Sequence, residues 1–304
     1  MPIILPIAGT SISFILLLGI GLAIGCLSGL LGVGGGFLLT PLLMLIGVRP
    51  SIAAASGANT VVATSASGAV AHYRLGHLDV KMGCVLLLGG LTGGAIGVRL
   101  LELLHRLGKA SVAINATYIL VLAGVGVSIL INSLTRPALA TGAYRPTEAR
   151  SLRQRLPLRL RFPRSGVEHS VFLPVGVAVL VGLLTSMGMG GGFVLVPVMV
   201  YLLDMPPHMA VGTSLFQIFF TSCGVTYMEA TVNHTVDIVL VVPLAVGSAV
   251  GAQIGARASR YLPGHRLMIL LGFLVLIVML EMVFRLVRAP ANMVSPAMLL
   301  FGLR

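Results

Sequence analysis

The chain has 304 residues, of which 57% are hydrophobic and 9% charged; soluble domains carry about 25% charged residues, so the composition excludes an ordinary soluble domain and indicates a polytopic helical membrane protein. The net charge of +12 does not imply a nucleic-acid partner, because eight of the twenty basic residues are arginines clustered between Arg136 and Arg164. That cluster, the only long polar segment, reads as a cytoplasmic loop under the positive-inside bias and in contact with anionic membrane lipid.

The first apolar run, Ser11–Leu31, is long enough to span a bilayer and lacks the basic leader of a cleaved signal peptide, so it reads as a retained span. It runs into "GVGGGFLLTP" at 32–41, a cluster of four glycines inside apolar sequence. Each glycine costs a helix about 1 kcal/mol relative to alanine, so the cluster predicts a break. The apolar piece beyond it, Phe37–Ile46, is half a membrane thickness long and reads as a half-helix or re-entrant segment. Three longer pieces follow at about 51–73, 79–101 and 110–132.

After the arginine-rich segment the same order returns. A span at Val171–Met187 leads into "GMGGGFVLVP" at 188–197, a short piece at Phe193–Leu203, and longer pieces at 207–229, 236–258 and 266–288. Gly32 and Gly188 lie 156 residues apart (188 − 32), and this offset holds as far as Gly68 and Gly224. Two residues are then inserted and the offset becomes 158, pairing Asp79 with Asp237, Gly93 with Gly251, Gly97 with Gly255 and Arg99 with Arg257. The expected fold is therefore an all-α polytopic membrane protein of two homologous repeats with four to five transmembrane segments each. The units are 1–135, an Arg-rich cytoplasmic linker at 136–169, 170–290, and a C-terminal tail at 291–304. Arg74 and Lys81 flank one loop where its counterpart carries Glu229 and Asp237. That contrast favours inverted repeats, although Arg285 and Arg288 echo the arginines that close the first half.

A helix starting just after a glycine break directs unsatisfied backbone N–H groups and the positive end of its dipole into that break. Irregular backbone at membrane depth survives where protein or a water-filled cavity surrounds it. Gly34, Gly35 and Gly36, with Gly190, Gly191 and Gly192, are thus candidate anion-binding positions near the midplane. Packing is the better reading for Gly89, Gly93 and Gly97, spaced four apart on one helix face. The third piece of each half is polar for its depth. It brings Asn59, Thr60 and Thr64 in one half and Thr213, Ser214 and Gln217 in the other, either as hydrogen-bond donors to an oxyanion or as interhelical contacts. Arg99 and Arg257 are candidates for substrate charge, weighed against snorkelling from span ends. Glu281 is the candidate proton-coupling group, Asp79 and Asp237 read as helix caps, and His72 near a span end is a possible proton group weighed against a structural histidine. Cys26, Cys84 and Cys223 read as small core residues. No catalytic constellation, cofactor motif or metal-ligand spacing stands out.

The stretches "GLLGVGGGFLLTPLLMLIG" and "GLLTSMGMGGGFVLVPVMVYLLDMPPHMAVGTSLFQI" resemble the TauE/SafE sulfite-exporter family of permeases, in which a Gly-x-Gly-Gly-Gly motif followed by Pro occurs in both halves. "AVGTSLF" fits the family pattern, and "AASGANT" in the first half departs from it. The resemblance implies transport of sulfite, an organosulfonate or another small sulfur-containing anion across the inner membrane, coupled to an ion such as H+ or Na+. The alternative class is a membrane scaffold whose glycines only pack helices.

Overall fold

A computed structural model describes residues 2–4, 11–48, 50–135, 159–162, 167–233 and 238–288. Among these residues ten α-helices follow one another: α1 (Phe14–Leu31), α2 (Gly36–Leu45), α3 (Pro50–Arg74), α4 (Val80–Arg106), α5 (Ala110–Thr135), α6 (Phe172–Ser186), α7 (Gly192–Tyr201), α8 (Pro207–Met228), α9 (Ile238–Ser259) and α10 (Gly264–Arg288). Two short antiparallel hairpins stand outside this helical body. Pro2–Ile4 pairs with Ser11–Ser13, so the first span starts at Phe14 rather than at Ser11, and Arg159–Phe162 pairs with Val167–Ser170. Most of the arginine-rich segment, the tail 291–304 and Asp237 lie outside the described residues.

Among the described residues six helical stretches are long and apolar enough to cross a membrane: Phe14–Leu31, Val80–Arg106, Ala110–Ile129, Pro207–Thr231, Val239–Ser259 and Gly264–Phe284. Their outer faces are leucine, isoleucine and phenylalanine. Leu88, Leu120, Phe273 and Leu280 are each more than 60% exposed, which suits contact with hydrocarbon rather than water. The protein is a multi-pass membrane protein. At 25 residues α3 is long enough to cross as well, but its Ser, Thr and Asn content makes it less apolar, and it runs through the interior.

Helices in matching positions of the two halves make matching contacts. The first helix of each half packs on the fourth helix of the other, α1 on α9 and α6 on α4. Glycines make both approaches possible. A Cβ on Gly21 would fall 2.5 Å from the Leu244 carbonyl oxygen, and Cβ atoms on Gly251 and Gly255 would collide with the backbone of Leu22 and Cys26. On the other side, Cβ atoms on Gly89 and Gly93 would collide with the carbonyl oxygens of Val175 and Val179, and one on Gly97 with the Ser186 hydroxyl. These glycines are packing positions, as their four-residue spacing predicts. The third helices, α3 and α8, meet with their numbering opposed: Gly34 lies between Val61 and Ile218, Gly68 meets Leu215, and Gly212 meets His72. A π-turn, Glu229–Asn233, ends α8 where the sequence correspondence takes up its two extra residues, and α3 ends without one.

Candidate functional site: two glycine turns in contact

Each glycine cluster adopts one backbone pattern. Gly32, Gly34 and Gly35 have φ of 77°, 80° and 85°, and Gly188, Gly190 and Gly191 have φ of 81°, 72° and 63°. Three left-handed residues out of four are accessible to glycine and costly for any residue with a Cβ. They turn the chain sharply, so that α2 begins at Gly36 and α7 at Gly192 with left-handed N-caps Gly35 and Gly191. The Gly35 carbonyl then accepts from Leu38 and Leu39 N–H at 3.1 and 3.0 Å, and the Gly191 carbonyl from Val194 and Leu195 N–H at 3.1 and 3.0 Å. Each helix has ten residues, about 15 Å at 1.5 Å per residue, and each carries an internal proline, Pro41 or Pro197, that removes one helical hydrogen bond.

The two turns touch. A Cβ on Gly36 would lie 2.5 Å from the Gly188 carbonyl oxygen, and one on Gly192 would lie 2.6 Å from Val33 Cα and 2.7 Å from the Gly32 carbonyl oxygen. Just beyond, the Phe37 and Phe193 rings stack with centroids 5.3 Å apart. Residues 28–37 and 184–197 are all buried. Two apolar grooves of about 640 and 590 Å³ open on the outer surface, and neither is lined by a glycine of the turns.

Irregular backbone this deep needs donors for its carbonyls, and hydroxyls supply them. Ser214 Oγ–H donates to the Gly32 carbonyl at 2.7 Å, and Thr40 Oγ1–H donates to the Gly188 carbonyl at 3.1 Å. Both bonds cross between the halves. Ser28 places its buried Oγ beside Gly35, 3.8 Å from where a Cβ would be, without a hydrogen-bond partner. Thr40 and Ser28 were missed from sequence: Thr40 lies inside the glycine motif, but nothing in its type or spacing tells that it reaches across to the other half.

Of the residues expected around the turns, Gly34, Gly35, Gly36, Gly190, Gly191, Gly192 and Ser214 come together. Thr213 does not join them; its Oγ1 accepts from Asp79 N–H at 3.0 Å, while Asp79 Oδ1 caps α4 by accepting from Met82 N–H at 3.2 Å. Gln217 turns toward α4, its amide donating to Thr221 Oγ1 at 2.8 Å beside Gly90. On α3 the residues against the turns are Ala54, Gly57 and Val61. Asn59 is two residues from Val61, about 160° around the helix, so it faces away, buried with neither amide atom partnered. Thr60 and Thr64 donate back to the carbonyls of Ser56 and Thr60 at 2.8 and 3.0 Å.

The arginines take the outward position of the snorkelling alternative. Arg99 has a 69% exposed side chain paired with Glu102 at 3.3 Å, and Arg257 is exposed on α9. Charge at the lipid-facing surface is solvated at the interface and is not available to a buried ligand. Cys84 is also exposed rather than in the core. Glu281 is half-buried on α10.

A family model described as "Sulfite exporter TauE/SafE" matches residues 17–282, which include both turns and all but the ends of the helical body. The chain is 28% identical to "Probable membrane transporter protein YunE" of Bacillus subtilis (strain 168) over 74% of its own length and 79% of that protein. It is 29% identical to "Probable membrane transporter protein YjnA" of the same organism over 71% and 78%. Against "Sulfite exporter TauE/SafE family protein 1" of Arabidopsis thaliana it is 30% identical over 30% of its length and 21% of that protein. No solved structure matches. With the family match spanning both glycine turns, the chain belongs to the TauE/SafE family of membrane transporters.

Proposed function

We propose that the protein is a secondary transporter of a small sulfur-containing anion, sulfite or an organosulfonate, that binds where the two glycine turns meet. The observation that carries this reading is the duplicated turn. The same three left-handed glycines start the same ten-residue helix twice, and the two starts lie against each other. By helix geometry the N–H groups of Gly36 and Phe37 in α2 and of Phe193 in α7 have no intrahelical acceptor, while Gly192 N–H is taken by the Gly190 carbonyl at 2.9 Å, and both dipoles present their positive ends there. The site needs no fixed positive charge, consistent with the outward position of Arg99 and Arg257. The sulfur-containing substrate is suggested by the family description and by the names of its plant relatives.

In this reading the halves form an inverted repeat. The support is the opposed run of α3 and α8: repeat-related neighbours that run antiparallel imply a two-fold axis lying across the helices rather than along them. The contact between the turns is then the closed form, and substrate enters when they part.

A thermal-shift series with sulfite, sulfoacetate, taurine, sulfate and phosphate tests the proposal. A ligand that binds only the folded protein stabilises it, by about 2.7 kcal/mol at a hundred times its dissociation constant, and so raises its unfolding temperature. Stabilisation by sulfite or a sulfonate, absent in Gly35→Ala and Gly191→Ala, is expected. Equal response of the variant and native proteins, or no response to any anion, points instead to helix packing as the only task of the glycines.

A further inference from the structure

Three imidazoles come together where α3 ends and α8 begins. The ring centroids of His72 and His77 are 5.8 Å apart, and those of His77 and His208 are 5.2 Å apart. Gly212 lets α8 come this close, since a Cβ there would collide with the His77 carbonyl oxygen. The rings are tilted against each other, by 41° and 30°, and among the described residues no group of three or more His, Cys, Asp or Glu side chains is placed to hold a metal ion.

His72 is fully buried, with Nε2 at 2.9 Å from the Gly29 carbonyl oxygen. A carbonyl only accepts, so Nε2 carries the hydrogen and donates it. In the neutral ring the lone pair then lies on Nδ1, which is buried and has no hydrogen-bond partner. Gly29 belongs to the last turn of α1, whose carbonyls lose their helical donors when the chain breaks at Gly32. His72 thus ties α3 to the broken end of α1, three residues from the first left-handed glycine. His77 and His208, half-buried, continue the chain of rings outward, each with an unpartnered Nδ1.

We propose that His72, His77 and His208 form the proton site of the transport cycle: the cluster takes up one proton, which at His72 Nδ1 acts on the end of α1 that holds the first glycine turn. This inference rests on the transport reading above. The step moves one proton and no electrons. The Nδ1 lone pair takes the proton, Nε2–H stays on the Gly29 carbonyl, and release reverses the transfer. The imidazolium formed sits at the carbonyl end of α1, the negative end of its dipole, so protonation tightens the α1–α3 link and release loosens it. The charges acting on His72 are those of His77 from the loop and His208 from α8, and α1 offers only the Gly29 carbonyl. His208 in turn meets the Leu262 backbone, and the Asp79 carboxylate caps α4 through Met82 N–H. His77 lies between α3 and α4, where burial pulls its proton affinity below the ordinary histidine value.

The test uses the full chain in proteoliposomes with an entrapped pH dye and with labelled sulfite and labelled sulfoacetate in parallel arms. Tracer exchange without a gradient is compared with accumulation driven by a pH gradient. His72→Gln keeps an amide donor for Gly29 and removes the titrating nitrogen. It is expected to retain exchange while losing gradient-driven accumulation and the dye response by at least about a hundredfold, the low end of what removing a proton-transfer group costs. His77→Asn with His208→Asn, at half-buried positions, is expected to shift the pH profile of accumulation, and it serves if His72→Gln does not fold. Native-level accumulation and dye response in these variants overturn the proposal. Exchange by the native protein with no dye response overturns this proposal alone, and no exchange of either anion by the native protein overturns the transport reading with it.

Discussion

The first glycine turn hands its Gly32 carbonyl to Ser214 of α8, whereas the second hands its Gly188 carbonyl to Thr40 of α2. These hydroxyls are not repeat partners. At the offset of 156, Ser214 corresponds to Ala58 and Thr40 to Val196. The surroundings of the N-caps differ too: Gly35 looks onto Ile24 and Ser28, Gly191 onto Val181 and its carbonyl. Backbone geometry has been kept in both halves while the side chains that close it have diverged. That is what physics allows, because three positive φ values accept only glycine comfortably, whereas an orphan carbonyl accepts from any hydroxyl within reach.

The largest effect expected is at the positions where the turns meet. Gly36→Ala and Gly192→Ala each drive a methyl into backbone of the opposite turn, where nothing flexible can yield. Overpacking of this kind costs about 1–3 kcal/mol and occasionally more, and size-exclusion profiles of the purified variants should show loss of folded protein for both. Symmetry between the two would hold the comparison at the level of backbone. Next come the N-caps. Left-handed strain alone costs about 1–2 kcal/mol in each of Gly35→Ala and Gly191→Ala, and thermal unfolding should place Gly191→Ala lower, because its methyl would lie 2.5 Å from Val181 Cγ1 against 3.0 Å from Ile24 Cγ2 for Gly35. Equal losses would erase the distinction drawn between the turns.

The hydroxyls sharpen it further. Ser214→Ala leaves the Gly32 carbonyl without its side-chain donor and should destabilise by about 1–3 kcal/mol. Both hydroxyls are shared, Ser214 with the Val211 carbonyl and Thr40 with the Ala53 carbonyl, and Thr40→Val should cost less by the same unfolding measurement, since its bond to the turn is longer, 3.1 Å against 2.7 Å. Substituting Arg99 or Arg257 by Gln should change stability within about 0.5 kcal/mol, with anion flux unaltered. The smallest effect is on pH dependence. Burial holds His77 below its ordinary value, so the folded protein binds fewer protons than the unfolded chain just below pH 6.5. Its share of stability is present above that pH and fades as pH falls toward the folded-state value. A pH series of unfolding temperatures should be slightly flatter in His77→Asn.

Nearly all of the helical framework was legible in the sequence, because hydropathy and glycine placement are one-dimensional signals. The short pieces after the glycines, expected at Phe37–Ile46 and Phe193–Leu203, are the helices Gly36–Leu45 and Gly192–Tyr201. The Asp79 cap was legible too, since capping is local. The polar residues of α3 and α8 were not. Asn59, Thr60, Thr64 and Gln217 share a sequence neighbourhood with Ser214, and only the rotation of each helix against its neighbours decides which of them looks at a turn. The histidine cluster escaped for the same reason: His72 and His208 are 136 residues apart (208 − 72) and meet only because α3 and α8 lie side by side.

The glycine contacts between α1 and α9, and between α4 and α6, set where the molecule can hinge. Each pair joins one helix from each half in backbone contact over several turns, too close to slide without lifting apart. A motion that separated residues before the arginine-rich segment from those after it would have to unzip both pairs. The natural rigid bodies are therefore α1 with α9 and α4 with α6, each a composite of the two halves, and the glycine turns lie where the last residues of α1 and α6 hand over to α2 and α7.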